Sequence, residues 1–147
     1  MPNTSIKSSV FAPIKTAKLA VEIIEEEKGK IIWKKQFDLS GLSKLNAAKY
    51  VWKVLRKKVN YRAEKIGHEI VQYPAYTLKL GHGDCEDFTI LVGVILQANN
   101  IDFNVVLADY GKGWQHIYVE INGIRIDPTE DKFNQKDFPI KTKVFKL

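Results

Sequence analysis

The sequence has a single cysteine among its 147 residues, so an internal disulfide is excluded. It also lacks any apolar run near the roughly 18 residues that a membrane-spanning helix needs. Residues 1–15 contain no continuous apolar stretch of the length, about 7–15 residues, found in a secretory signal. These absences predict a chain without a membrane segment, located in a reducing compartment such as the cytoplasm.

The charge of the chain is unbalanced, with a net value of +6. The basic residues are scattered, with modest clusters at 56–58 and 141–146, and no RNA-recognition, zinc-finger or helix-turn-helix motif accompanies them. Such a pattern is typical of solvated lysine faces. The sequence therefore does not predict a nucleic-acid partner, whereas an acidic protein surface remains open as a partner.

The N-terminal quarter admits two interpretations. We predict an arm and a β-hairpin over residues 1–40, followed by the main domain over residues 41–147, in one compact domain overall. The hairpin rests on the alternation of Leu19, Val21 and Ile23, with a turn at 27–30 and a return over 32–37. The competing interpretation is a helix from Thr16 to Gly29, since residues 17, 20, 21 and 24 also fit a helical period.

The rest of the chain predicts helices followed by an antiparallel sheet. Apolar residues recur at helical spacing from 45 to 59, after a capping Ser40 or Ser43, and a short helix is expected within 60–80, where Pro74 breaks whatever precedes it. Residues 85–100 are apolar almost all round, which indicates a buried central helix. Strands are predicted over 103–109, 115–121 and 124–127, the last two joined by an Asn-Gly turn. This order is typical of an α+β domain.

The start of the central helix lies in the segment GHGDCEDF, residues 81–88. Gly83 permits the entry turn, and Asp84 is a natural N-cap with Asp87 three residues later. Cys85 therefore falls in the first helical turn, where the helix dipole favours a thiolate. Glu86 and Asp87 oppose ionisation. We expect Glu86 to point about 100° away from Cys85, and we expect a nearby histidine to dominate the electrostatics.

That histidine follows from the register of the Asn-Gly hairpin. A two-residue turn sets Tyr118 opposite Asp127, with the apolar residues of both strands on one face. His116 and Asp127 then lie on the other face as diagonal neighbours, close enough for the carboxylate to bind one imidazole nitrogen and leave the second free. The residues alone leave two possibilities open, a structural cysteine and a nucleophilic triad.

The segments that carry these residues resemble a known family. TLKLGHGDCEDFTILVGVILQANN and WQHIYVEINGIRIDPT, within residues 60–130, are similar to the transglutaminase-like superfamily of papain-type cysteine enzymes. The resemblance implies a papain-like core in which a central buried helix carrying Cys packs on an antiparallel sheet carrying His and Asp. It also implies a nucleophile, Cys85, a general base and acid, His116, and an orienting residue, Asp127.

The same resemblance sets the expectations for function. It implies a cysteine protease or amidase type of hydrolase or acyltransferase, acting on a peptide or isopeptide bond of a protein or peptide substrate through a thioester. Candidates for the oxyanion or substrate contacts are Gln72, Tyr76, Trp52 and Trp114, of which the two tryptophans are expected mainly to pack. We expect no metal or cofactor, since there is no second cysteine and no histidine pair at helical spacing. The alternative is a scaffold or interaction protein, such as a virion component of a phage, with an idle or single-use triad.

Overall fold

The computed structural model describes residues 6–9, 13–63, 69–111, 113–135 and 137–147. The helices are α1 (Pro13–Glu26), α2 (Ile32–Gln36), α3 (Lys44–Lys58), α4 (Pro74–Leu80) and α5 (Cys85–Ala98). The strands are β1 (Ile6–Ser9), β2 (Asn60–Tyr61), β3 (Glu69–Gln72), β4 (His82–Gly83), β5 (Asn104–Asp109), β6 (Trp114–Ile121), β7 (Ile124–Ile126) and β8 (Lys141–Lys146).

The main sheet is antiparallel and has four strands in the order β7-β6-β5-β8. Two smaller pairs, β1 with β3 and β2 with β4, lie outside it. The predicted α+β class is confirmed, and so is the register of the β6–β7 hairpin, which pairs Val119 with Ile126 and Ile121 with Ile124. Asn122 and Gly123 both have positive φ, of 46° and 81°, as a two-residue turn of this kind requires. Strand β8 was not predicted.

Helix α5 is the centre of the core. Every residue from Asp87 to Leu96 is buried, in agreement with the predicted all-apolar helix. Asp84 caps it, because its side chain accepts hydrogen bonds from the backbone N–H groups of Glu86 and Asp87. Among the residues described, no helix is both long and apolar enough to cross a bilayer.

The predicted hairpin over residues 18–39 is wrong. Residues 13–26 form helix α1, and the expected return strand contains helix α2. The buried apolar residues of α1 are Ala17, Ala20, Ile23 and Ile24, which follow the helical period of the competing interpretation. The predicted arm falls partly on residues 1–5 and 10–12, which lie outside the described residues; its other parts include β1 and the first turn of α1.

A close approach between α1 and α5 explains why this segment forms a helix and not a strand. A Cβ atom at Gly93 would lie only 2.5 Å from Cδ1 of Ile24, so the absence of a side chain at Gly93 is what admits Ile24. The small residues Ala17 and Ala20 are also fully enclosed in the same core. A strand would present only alternate residues to α5, and would leave Ala20 or Ile23 outside the core.

Helix α3 begins and ends as the sequence predicts. The hydroxyl of Ser43 accepts a hydrogen bond from the backbone N–H of Asn46, which makes Ser43 the N-cap. Its inner face buries Ala47, Ala48, Val51 and Leu55. Helix α3 leads directly into β2, which pairs in parallel with β4, so the end of α3 is tied to the segment just before Cys85.

Candidate active site

The β6–β7 hairpin brings His116 and Asp127 together. Nε2 of His116 lies 2.5 Å from Oδ2 of Asp127, and the carboxylate is buried. Burial alone would lower the pKa of His116, but the hydrogen bond to Asp127 and the charges of Asp127 and Glu130 raise it above its ordinary value. Because Nε2 is engaged, Nδ1 is the ring nitrogen left for proton transfer.

The other oxygen of Asp127 is held by Thr129. Oδ1 accepts hydrogen bonds from the Thr129 hydroxyl at 2.6 Å and from the Thr129 backbone N–H at 3.1 Å. Both oxygens of the buried carboxylate therefore have partners, and the plane of the carboxylate is fixed.

Cys85 is connected to this site by contacts between helix α5 and an unpaired part of strand β6. Strand β7 pairs with β6 only from Val119 onward. At Ile117, the side of β6 that faces β7 therefore has no strand partner among the described residues. Helix α5 supplies the partners instead. The Thr89 hydroxyl donates to the Ile117 carbonyl at 3.3 Å, and a backbone hydrogen bond from Ile117 reaches the Cys85 thiol. The nucleophile candidate is thus bound to the residue that follows His116.

The prediction that His116 dominates the ionisation of Cys85 is wrong for this conformation. Burial raises the pKa of the Cys85 thiol well above its ordinary value, and the negative charges of Glu86 and Asp84 raise it further. The backbone hydrogen bond from Ile117 acts in the opposite direction and lowers this pKa, but by less. The thiol is therefore protonated at neutral pH.

The expected orientation of Glu86 is also wrong. The Cys85 Sγ donates a hydrogen bond to Oε2 of Glu86 at 3.2 Å. Successive residues of a helix do leave the axis about 100° apart, but the three torsions of a glutamate side chain let its carboxylate curl back to the neighbouring residue. The sequence rule describes the direction of the Cβ atom and not the reach of the side chain.

Asp87 stabilises the turn that precedes Cys85. Its Oδ1 accepts from the Gln72 backbone N–H at 2.8 Å and its Oδ2 accepts from the Asp84 backbone N–H at 3.0 Å. Burial, together with the charge of Asp84, raises the pKa of Asp87 to about 9. The protonated Asp87 therefore adds no negative charge beside Cys85 at neutral pH. A Cβ atom at Gly83 would lie 2.7 Å from Cβ of Asp87, which explains the glycine.

The remaining predicted residues are spread around the site. Gln72 is buried, and its amide donates to the Thr77 hydroxyl and the His82 carbonyl, so it stabilises the turn between α4 and β4. Trp52 donates from Nε1 to the Glu130 carbonyl and packs edge-on against Phe133. Trp114 packs partly buried against the core beneath Lys141. Tyr76 is half-buried on α4, and no described hydrogen bond joins it to the triad.

Tyr61 and Glu130 were missed by the sequence analysis. Tyr61 is paired with Gly83 in the β2–β4 ladder and is 54% exposed. Partial burial raises the pKa of Tyr61, and so do the charges of Cys85, Asp84, Glu86 and Asp127, so the phenol lies within electrostatic range of these groups. Both residues line a cavity of about 410 Å³ next to the triad. A two-residue strand leaves no periodic signal in a sequence, so Tyr61 could not be found from pattern alone.

One group of potential metal ligands lies within the described residues. Ligand atoms of His116, Asp127 and Glu130 all lie within 4.8 Å of one another. The direct contact between His116 and Asp127 accounts for two of the three side chains as a hydrogen-bonded pair. The expectation of no metal and no cofactor stays a prediction.

A family model described as the transglutaminase-like superfamily matches residues 33–131, which include Cys85, His116 and Asp127. The chain belongs to the transglutaminase-like superfamily. The match extends from α2 to the segment that follows β7, so it covers the central helix and the hairpin that carry the candidate triad. Searches of curated proteins and of solved structures gave no match. Membership confirms the papain-like core expected of this transglutaminase-like chain.

Proposed function

We propose that this transglutaminase-like protein is a cysteine hydrolase or acyltransferase acting on a peptide, isopeptide or related amide bond. The observation that carries the proposal is that the contacts of Asp127 and of Cys85 converge on His116 and its neighbour. Its Nε2 is occupied by Asp127, and the Cys85 sulfur is bound to the backbone of the next residue, Ile117. An oriented imidazole beside a thiol is the arrangement that nucleophilic catalysis requires.

The reaction starts from a neutral thiol, because the pKa of Cys85 is raised in this conformation. His116 takes the thiol proton at Nδ1 as the sulfur attacks the carbonyl carbon and forms a C–S bond. His116 then delivers this proton to the leaving nitrogen as the C–N bond breaks, which leaves a thioester on Cys85. Water or an amine attacks the thioester, and His116 accepts the proton of that nucleophile. The C–S bond then breaks, and His116 returns the proton to the sulfur, which restores the thiol.

The developing oxyanion needs hydrogen-bond donors directed at the carbonyl oxygen. The Cys85 backbone N–H at the start of α5 is one donor. We assign the second to the Tyr61 hydroxyl, since Tyr61 is exposed, is paired in the β2–β4 ladder with Gly83, two residues before Cys85, and feels the charge of Cys85. The Gln72 amide, predicted from sequence, is already engaged by Thr77 and His82.

A second function is favoured by one observation, the hydrogen bond from Cys85 to Glu86. A thiol held neutral by a neighbouring acid suits a transglutaminase-like scaffold whose triad is idle or acts once. Such a protein would serve a larger assembly, for example as a virion component. Copurification of the chain in a defined multimer that is unchanged by Cys85→Ala would favour this scaffold function.

The deciding experiment is acylation of the protein by activated esters and peptide anilides, followed by intact-mass spectrometry. The wild type is expected to gain one acyl group, and Cys85→Ala none. His116→Ala should acylate about 10²-fold more slowly or worse, because it has lost its general base. His82→Ala is the matched control, since the His82 ring contacts Arg62 at the surface and should leave the rate unchanged. An unmodified wild type, or an adduct that survives Cys85→Ala, would overturn the enzyme proposal.

A further inference from the structure

The two carboxylate oxygens of Asp127 have separate partners. Oδ2 faces Nε2 of His116, and Oδ1 receives both the hydroxyl and the backbone N–H of Thr129. The backbone of the same segment closes a turn, because the Glu130 N–H donates to the Asp127 carbonyl at 3.0 Å. The position of Oδ2 relative to the imidazole therefore depends on the segment that follows Asp127.

Helix α3 holds that segment from the other side. Nη1 of Arg56 donates to the Pro128 carbonyl at 3.1 Å and to the Glu130 carbonyl at 2.5 Å. Trp52, four residues earlier on the same helix face, donates from Nε1 to the same Glu130 carbonyl at 3.3 Å. The Arg56 guanidinium also lies over the Trp52 ring, 5.4 Å from its centroid. Two side chains of one helix thus fix the backbone on either side of Thr129.

We infer that Thr129 is a positioning residue for the triad and that Arg56 supports it from α3. This inference rests on the proposed function, in which Nδ1 of His116 must carry a lone pair to accept the Cys85 proton. Thr129 fixes Oδ1, so Oδ2 is presented to Nε2 and keeps the proton of the neutral ring there. Arg56 fixes the carbonyls of Pro128 and Glu130, so Thr129 is held in place.

The substitution Thr129→Val tests the hydroxyl at nearly constant side-chain volume. It removes the shorter of the two hydrogen bonds to Oδ1, and the carboxylate gains freedom to rotate. The neutral His116 ring should then populate both tautomers, and the acylation rate should fall by about 10- to 100-fold, as small misplacements of catalytic groups do. Thr129→Ser keeps a hydroxyl and should restore both properties. Thr142→Val, at an exposed position on β8, is the matched control.

The tautomer is determined from the ¹⁵N chemical shifts of the His116 ring, a measurement that needs no substrate. If Thr129 were merely structural, its substitution would leave these shifts unchanged. Mixed tautomers in Thr129→Val, with a single tautomer in the wild type and in Thr129→Ser, would support the inference even if the wild type acylated none of the substrates. In that case only the proposed function would fail. An unchanged tautomer in a folded Thr129→Val protein would overturn the inference.

A second substitution, on helix α3, tests the same inference if the Thr129→Val protein does not fold. Arg56→Met retains the apolar stem of the side chain and removes both hydrogen bonds to the segment after Asp127. It should also mix the His116 tautomers, whereas Lys57→Met, at the exposed neighbouring position on α3, should not. A single, wild-type tautomer in folded Arg56→Met would contradict the support role of α3.

Discussion

The thiol of Cys85 donates a hydrogen bond to the carboxylate of its own neighbour, Glu86, at 3.2 Å. A carboxylate that accepts from a thiol stabilises the neutral sulfur, and burial acts in the same direction. The candidate nucleophile is therefore held as a thiol. In the proposed reaction, His116 then acts as a general base during attack instead of sharing a preformed ion pair with a thiolate.

The substitution Glu86→Gln should lower the pKa of Cys85. It removes a negative charge and replaces a carboxylate acceptor by a weaker amide oxygen, while Asp84 and burial continue to raise this pKa. Since the thiolate fraction changes by about tenfold for each pKa unit below the titration midpoint, alkylation by iodoacetamide at pH 7.5 should be faster than in the wild type. Glu25→Gln, at an exposed site on α1, should match the wild type. Slower alkylation of Glu86→Gln would show that Glu86 assists ionisation.

The substitution Tyr61→Phe tests the assigned oxyanion donor. Removal of one such donor lowers kcat by about 10²- to 10³-fold in enzymes where it has been measured, because the lost hydrogen bond forms mainly in the transition state. We expect a fall in kcat with KM nearly unchanged on an amide substrate. Tyr50→Phe, at an exposed tyrosine of α3, is the matched control. A change confined to KM would assign Tyr61 to substrate contact alone.

The parts of the site that could be predicted are those fixed by local patterns. The Asn-Gly turn determines the register of β6 and β7, and the register alone sets His116 diagonal to Asp127. The apolar run after Asp84 determines a buried helix, so Cys85 falls in its first turn. Each conclusion needs only a few neighbouring residues and the geometry of one element.

The parts that failed depend on residues far apart in the chain. Leu19, Val21 and Ile23 alternate like a strand, but the decision for a helix comes from Gly93 on α5, which admits Ile24. Tyr61 becomes part of the site only because β2 pairs with β4, about twenty residues later in the chain. The local sequence of these segments does not identify the distant residues that pack against them, so these contacts could not be predicted from pattern alone.

The substitution Asp127→Asn should impair acylation about as much as Asp127→Ala. The backbone N–H of Thr129 can only donate, so the amide oxygen of the new side chain should take the place of Oδ1. The amide NH₂ then faces Nε2 of His116 and forces the ring proton onto Nδ1, where the sulfur needs an acceptor. Loss of the correct tautomer lowers kcat by about 10⁴-fold in serine-protease triads, and we expect a comparable loss here.

The measurement combines acylation rates with the ¹⁵N shifts of His116, which should report a proton on Nδ1 in Asp127→Asn. Asp131→Asn, at an exposed position in the same segment, controls for the loss of an acidic charge. Wild-type acylation by Asp127→Asn would mean that the amide can turn its oxygen to His116, against the two donors of Thr129.

The last prediction concerns stability, and it follows from the buried acid Asp87. Its pKa is raised to about 9 in the folded protein, mainly by burial and then by the charge of Asp84, whereas a carboxyl group in an unfolded chain titrates near pH 4. Below about pH 4 both states hold the proton, and the contribution to stability is fully present. Between about pH 4 and 9 only the folded state holds it, so the free energy of unfolding falls as the pH rises.

The slope from this one group is at most about 1.4 kcal/mol for each pH unit, and the loss is complete once the pH passes the folded pKa. Asp87→Asn has no carboxyl group to titrate, so its free energy of unfolding should depend less steeply on pH from 5 to 9. Denaturation by urea at several pH values measures this slope, and Asp102→Asn, at an exposed position, should keep the wild-type slope. Equal slopes for wild type and Asp87→Asn would mean that Asp87 is ionised in the folded protein, and a charged acid would then lie two residues after Cys85 on α5.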